Sequence, residues 1–294
     1  MVHASAAGSI SIGDLSVHRL GFGGMRLTGT GILGPPPDIA SARATLRALP
    51  ALGVNLVDTS NAYGPFISEA LIRECLHPYA GLTIATKGGY LRPGPFLWHP
   101  DGRPASLRLA VQGSLKLLGV ERIDLWQLHR IDPAVPESDQ FGCIADLQRE
   151  GLIRHVGLSG CTLDQLDLAR TVFPVASVQH RYHVIDRRSE SLVDRCAALS
   201  IPFIAYFPLA TGALAAPDSI LAGVASRLGI TPAQAALAWL LHRSPSIVVI
   251  PGTQNPAHLA ENVAAAAIRL SPDDFAEISR IGERAAKLRA SPPT

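Results

Sequence analysis

Asp58, Tyr63, Lys87 and His129 have the types and positions that point to chemistry. Asp58 closes the apolar run Gly53-Val54-Asn55-Leu56-Val57, and Tyr63 stands five residues further on, in a turn. A carboxylate and a phenol so placed are poor core-building choices and suitable ones for proton transfer. A free phenol has a pKa of about 10 and is a weak acid at neutral pH. A neighbouring ammonium lowers that value, so Lys87 is expected to bring Tyr63 closer to a useful general acid. Asp58, on an adjacent strand, would hold Lys87 in place. A neutral imidazole at His129 would donate a hydrogen bond to a substrate oxygen. An acid beside a carbonyl implies reduction once a hydride source is supplied. Taken singly, a strand-end Asp caps turns, a rim Lys is a solvated charge and a His is a hydrogen-bonded core residue. The case rests on all four falling on one rim.

The elements that must position them follow from the texture of the chain. Ile10-Ser11-Ile12-Gly13-Asp14-Leu15-Ser16-Val17 alternates around a Gly-Asp turn and predicts a small hairpin. A first strand at Leu20 runs into a glycine-rich loop. Short apolar runs follow at 54–57, 82–86, 123–128, 155–158, 175–179, 202–207 and 247–250, with helical patterns mostly between them. Asp38 and Thr231 stand where helix N-caps belong. Eight strands alternating with helices predict a parallel sheet closed into a (β/α)8 TIM barrel, one α/β domain spanning residues 1–294. The seventh crossover is irregular in carrying two helices, at 217–228 and 232–241. Asp58, Lys87 and His129 then sit at C-terminal strand ends, where such barrels assemble active sites.

Composition narrows the class. Hydrophobic residues make up 47% and charged residues 17% of 294, enough for a large core and too little charge for a disordered chain. The net charge of +2 has no basic cluster behind it, so no nucleic-acid partner is expected. No apolar run approaches the roughly 18 residues that span a bilayer, and the N-terminus does not resemble a secretory signal. Cys75, Cys143, Cys161 and Cys196 are far apart, form no C-x-x-C pair and suggest a reduced, cytoplasmic setting. No metal motif is present. Gly21-Phe22-Gly23-Gly24-Met25-Arg26 lacks the last glycine of a dinucleotide fingerprint, and Gly157-Leu158-Ser159-Gly160-Cys161 is not a nucleophile elbow.

The order Asp58, Tyr63, Lys87, His129, with these neighbours, resembles the catalytic tetrad of the aldo-keto reductase family. The likeness also covers Gly21-Phe22-Gly23-Gly24-Met25, Ala85-Thr86-Lys87, Gln127-Leu128-His129-Arg130 and Ile250-Pro251-Gly252-Thr253, and runs from about Leu20 to Leu270. It implies a (β/α)8 barrel that binds NADPH without a Rossmann domain. By this resemblance Ser159 and Gln179 hold the nicotinamide amide and Tyr206 stacks on the ring. Gly160 stands where members commonly carry Asn. Gly23, Gly24, Met25 and Asp58 also line the cofactor. Phe207-Pro208-Leu209 runs beside the pyrophosphate, and Gly252, Thr253, Gln254, His258, Glu261 and Asn262 receive the adenosine end. Gly252 and His258 replace the Lys and Arg that many members place around the 2′-phosphate. Backbone amides at 252–254, the Thr253 hydroxyl and the following helix N-terminus can bind that phosphate, so NADPH is expected over NADH.

The substrate expectation is a small carbonyl compound, walled by Met25, Tyr63, Trp98 and His129 and by loops at 25–37, 88–103 and 181–183. Within the family the motifs most resemble the branch of bacterial pyridoxal reductases, which suggests reduction of pyridoxal to pyridoxine, with other aldehydes, quinones and keto-sugars open beside it. Arg26 and Arg130 would either meet an anionic substrate or pair with residues such as Asp132. Two other classes stay open: an NADPH-binding, channel-associated subunit with slow turnover, and a barrel aldolase using Lys87 as a Schiff base.

Overall fold

The computed structural model describes residues 2–290. An antiparallel hairpin, β1 (Ser9–Ile12) and β2 (Leu15–His18), precedes the barrel. The barrel strands are β3 (Phe22–Gly23), β4 (Leu56–Asp58), β5 (Thr83–Gly88), β8 (Ile123–Leu128), β9 (Ile153–Ser159), β10 (Val175–Arg181), β11 (Phe203–Tyr206) and β12 (Ile247–Val249). They pair in parallel in the order β12-β11-β10-β9-β8-β5-β4-β3. A parallel bridge between Leu20 and Val249 joins the two edges, with Gly21 N donating to Val249 O at 2.9 Å. The expected (β/α)8 barrel is the observed one.

Helices α1 (Ile39–Ala48), α2 (Ile67–Leu76), α3 (Pro104–Leu118), α4 (Glu137–Arg149), α5 (Leu163–Arg170) and α6 (Glu190–Ala198) make the crossovers. The seventh carries α7 (Ala222–Leu228) and α8 (Pro232–Arg243), and α9 (Pro256–Ala264) and α10 (Pro272–Ala290) complete the outer layer. Asp38 caps α1 through Ser41 N, and Thr231 with Gln234 forms a capping box on α8. Helix α7 begins at Ala222, later than the pattern from Pro217 suggests, because 210–221 is spent in turns. A second difference lies at 90–100. The segment expected as a loop contains a short antiparallel pair, β6 (Tyr90–Leu91) and β7 (His99–Pro100), which brings Tyr90 and Trp98 over the barrel mouth.

The interior is layered by the two-residue period of the strands. Leu56, Ala85, Leu125, Ile204 and Val248 form an apolar layer. Ile12 and Val17 of the hairpin pack against it, so the hairpin closes the bottom of the barrel. Asp14, in the hairpin turn, pairs with Arg154 and His155 of β9 and fixes that plug. Two residues further along each strand stand Asp58, Lys87, Gln127 and Tyr206, so the residues of the site rest directly on the apolar floor.

Candidate active site

Asp58 ends β4 and accepts from three side chains: Lys87 Nζ, Gln127 Nε2 at 3.0 Å and Gln179 Nε2 at 2.8 Å. An ionised carboxylate is an acceptor only and suits this surround of donors. Lys87, wholly buried, also donates to Thr59 O at 2.8 Å. Burial pulls its pKa down and the Asp58 carboxylate pulls it back up, with a net lowering. Removing either partner of such a pair leaves an uncompensated buried charge, at a cost of about 3–5 kcal/mol. Gln127 was not singled out in the sequence as a site residue. Its signal is an amide two residues after the inward Leu125 in the strand Ile123–Leu128, where a buried polar group needs a partner.

Tyr63 packs edge-on against His129 with ring centroids 5.8 Å apart, and Lys87 Nζ lies 5.1 Å from the Tyr63 ring centroid. The expected lowering of the phenol pKa is not what the structure gives. Burial, reinforced by the Asp58 carboxylate, pushes the Tyr63 phenol well above its ordinary value. Lys87 is committed to Asp58 and Thr59 O, so its charge is largely spent. Tyr63 therefore keeps its proton. His129 behaves as expected: desolvation, then the Lys87 and Arg130 charges, push its pKa well below the ordinary value and keep it neutral. Ser60 Oγ lies 3.1 Å from His129 Nδ1 and fixes the ring. Ser60 is a second residue the sequence reading passed over, because a Ser in a turn carries no distinguishing signal.

Trp98 and Tyr90 stand edge-on to each other and to His129. Arg92 holds this wall: its guanidinium lies 3.7 Å from the Trp98 ring centroid and donates to the carbonyls of Gly31, Ile32 and Ala62. Arg130 donates from Nε to Tyr90 Oη at 3.0 Å and from Nη1 to Gly160 O at 3.1 Å. It does not pair with Asp132, which accepts instead from the backbone of Gly102 and Ala134.

One cleft of about 630 Å³ opens above these residues. Asp58, Tyr63, Trp98, His129, Ser159, Gln179 and Tyr206 line its inner end. Phe207, Pro208 and Leu209, from the loop after β11, also line it, as do Gly23 and Met25. Gly252, Thr253, His258, Glu261 and Asn262 line its far end. Arg26 crosses from the β3 loop and donates to Thr211 O at 3.2 Å.

Four predicted site residues do not line the cleft. Lys87 is buried behind Asp58. The Cα of Gly24 faces Ser68 and Asp58 O, away from it. Gln254 turns inward, its backbone carbonyl accepting from Ser41 Oγ at 2.6 Å. Gly160 is covered by Arg130, whose Nη1 would lie 2.0 Å from a Cβ there. Of the expected wall at 181–183 only Arg181 reaches the cleft, since Tyr182 stacks on Trp239 and His183 is buried.

The cleft runs between the barrel mouth and α9, with the Arg26 guanidinium beside the loop after β11. Backbone approaches closely at its seam, where a Cβ at Gly252 would meet Gly23 O at 2.5 Å. Asn255 caps α9 beside it by accepting from Ala257 N at 2.8 Å. A helix N-terminus and open backbone amides are the features that receive phosphate.

Comparison with known proteins points the same way. The sequence model of the Aldo/keto reductase family matches residues 19–283. An uncharacterized oxidoreductase of Schizosaccharomyces pombe is 51% identical over 282 residues, covering 96% of this chain and 92% of that protein. A pyridoxine 4-dehydrogenase of Escherichia coli is 40% identical, covering 94% of this chain and 99% of that protein. Among solved structures, a glycerol dehydrogenase of Gluconobacter oxydans superposes with a TM-score of 0.85 over 98% of this chain and 99% of its own, at 23% identity, a likeness of fold. An aldo-keto reductase of Klebsiella pneumoniae in complex with NADPH superposes at 0.77 with 25% identity, over 93% of this chain and 94% of its own. With the family match spanning most of the barrel, the chain belongs to the aldo/keto reductase family.

Proposed function

We propose that this protein reduces an aldehyde or ketone to the alcohol with NADPH, and that pyridoxal is a substrate. The observation that carries the reading is a proton-bearing Tyr63 beside a neutral His129, at the inner end of a cleft that runs on to Asn262. The E. coli relative named pyridoxine 4-dehydrogenase supports the substrate, since pyridoxal is the aldehyde that dehydrogenation of pyridoxine at that position gives.

Bound in the cleft, the dihydronicotinamide supplies the hydride. The chain's own residues do the rest. Ser159 and the Gln179 side-chain carbonyl would hold the carboxamide, and Tyr206 would cover the ring. Gln179 is itself held by Asp58, so the amide pocket and the Asp58–Lys87 pair form one rigid unit. In the tautomer in which Ser60 Oγ donates to Nδ1, His129 keeps its proton on Nε2 and donates a hydrogen bond from there to the substrate oxygen. Tyr63 donates the second hydrogen bond and then its proton as charge develops on that oxygen. At the far end Thr253, His258 and Asn262 receive the adenosine and its 2′-phosphate, and Arg26 lies across the pyrophosphate path. We read the chain as one barrel domain and place its work in a reducing compartment such as the cytoplasm, where its four free thiols persist. Among the described residues no helix is long and apolar enough to cross a membrane.

The test mixes purified protein, NADPH and pyridoxal and follows loss of reduced-nicotinamide absorbance, with Tyr63→Phe alongside. Tyr63→Phe is expected to lower kcat by roughly 10²-fold or more while leaving NADPH affinity nearly unchanged. Normal turnover in that variant removes Tyr63 from its role. NADPH binding without oxidation of any carbonyl would favour a slow, regulatory subunit instead.

A further inference from the structure

Arg130 is a cation without a counter-ion at the substrate end of the cleft. It follows His129, is half-buried, and its hydrogen bonds go to the Tyr90 and Tyr206 side chains and to a peptide carbonyl, none of them charged. Among the described residues it makes no ion pair with a carboxylate. Asp58, the carboxylate nearest the chemistry, is neutralised by Lys87. Asp132 is turned to backbone amides, and Asp186 is taken by Arg188. Glu261, at the far end of the cleft, accepts from Thr231 Oγ1 at 2.6 Å. Arg181 also lines the cleft, its guanidinium 4.9 Å from the Phe207 ring centroid and, among the described residues, likewise without an ion pair. The substrate end therefore carries net positive charge against a neutral Tyr63 and a neutral His129.

The space that Arg130 fills is made for it. Gly160 has a φ of +67°, and a Cβ there would strike the guanidinium, so the absence of a side chain at 160 and the position of Arg130 depend on each other. A half-buried guanidinium keeps its charge, and it presents donors in a fixed fork matched to carboxylate or phosphate. Leaving it without an anion sacrifices hydration with no charged partner in return.

We propose that Arg130 receives an anionic oxygen group on the carbonyl substrate, so that the enzyme selects carbonyl compounds bearing a carboxylate, a phosphate or a ring oxyanion. The inference rests on the carbonyl-reductase reading above for the identity of the ligand, and on geometry alone for the anion site. Arg130 is a specificity-determining residue in this account, separate from Tyr63 and His129, which take the reacting oxygen.

The test uses two readouts. In the first, protein saturated with NADPH is titrated calorimetrically with benzoate and with benzamide, its neutral counterpart. Native protein is expected to bind benzoate about 10-fold or more tightly than benzamide, as charge-assisted hydrogen bonds outweigh neutral ones. Arg130→Gln is expected to bring that ratio close to one, and Arg130→Lys to keep part of it. In the second, the ratio of kcat/KM for 2-carboxybenzaldehyde over benzaldehyde is expected to follow the same order. Equal binding of the two ligands by the native protein overturns the proposal. So does a preference that survives in Arg130→Gln, which would leave the anion to Tyr63, His129 or Arg181. If Arg130→Gln does not fold, the partial loss in Arg130→Lys decides. A benzoate preference lost with Arg130 in a protein that reduces no aldehyde would sustain the anion site and sink the carbonyl-reductase reading. Pyridoxal reduction without any anion preference would do the reverse.

Discussion

At the residue scale, the arrangement reverses one expectation about how the acid is tuned. Lys87 sits close enough to Tyr63 to act on a phenolate, yet its charge is absorbed by Asp58, and burial dominates the phenol. The pH dependence follows with its sign. On the proposed mechanism, reduction needs a protonated Tyr63 and a neutral, singly protonated His129. The Tyr63 pKa is raised above its ordinary value of 10.0, so the donor form persists to at least that pH. The His129 pKa is depressed below 6.5, so the neutral imidazole persists below that value. We expect kcat/KM for reduction, which reports the free enzyme, to stay flat between about pH 6.5 and 10. A loss of rate with an apparent pKa of about 8 would mean that Lys87 does lower the phenol. The identities of Asp58, Tyr63, Lys87 and His129 were legible in the sequence, because titratable groups at strand ends are chemically conspicuous. Their tuning was not, since it depends on which neighbour spends its charge on which. Gln127, Ser60 and Arg92 were missed for a related reason: each acts by holding another residue, and only distances reveal that.

At the scale of elements, the (β/α) alternation was readable because each buried strand is a short apolar run and each helix has its own period. The boundaries moved by a few residues where turns compete, as at 210–221. The pair β6 and β7 was not legible, because strands of two residues leave no periodic trace. The seam between β3 and β12 is the element contact with the sharpest consequence. Gly23 N donates to Pro251 O at 3.2 Å, and Gly252 and Gly23 approach so closely that neither tolerates a Cβ without movement. Gly252→Ala is therefore expected to push the seam apart and lower stability by about 1–3 kcal/mol, the range of an overpacked site. Because the same glycine lines the cleft, NADPH affinity should fall together with the urea midpoint. A variant with native stability and native affinity would show that the seam yields at no cost.

At the scale of the whole molecule, the barrel divides its labour between two ends. The hairpin and the apolar layer close the bottom, while the cleft crosses the top from Tyr63, over the β11 loop, to α9. A ligand spanning that distance touches elements from both halves of the chain, so its binding should stabilise the fold as a unit. A ligand at about 100 times its Kd adds about 2.7 kcal/mol to the stability of the form that binds it. NADPH at that concentration should raise the thermal midpoint by roughly 5 °C, given shifts of about 2–4 °C per kcal/mol for chains slightly shorter than this one. NADH at the same concentration should raise it less, because the proposed cofactor placement puts the 2′-phosphate, which NADPH alone carries, at the α9 N-terminus, Thr253 and the exposed His258. The gap between the two cofactors should narrow as salt is added, since an exposed phosphate contact is screened while the nicotinamide pocket is not. Equal shifts for both cofactors at low salt would mean that the far end of the cleft reads the adenosine alone, and that the departures at Gly252 and His258 have removed the phosphate site.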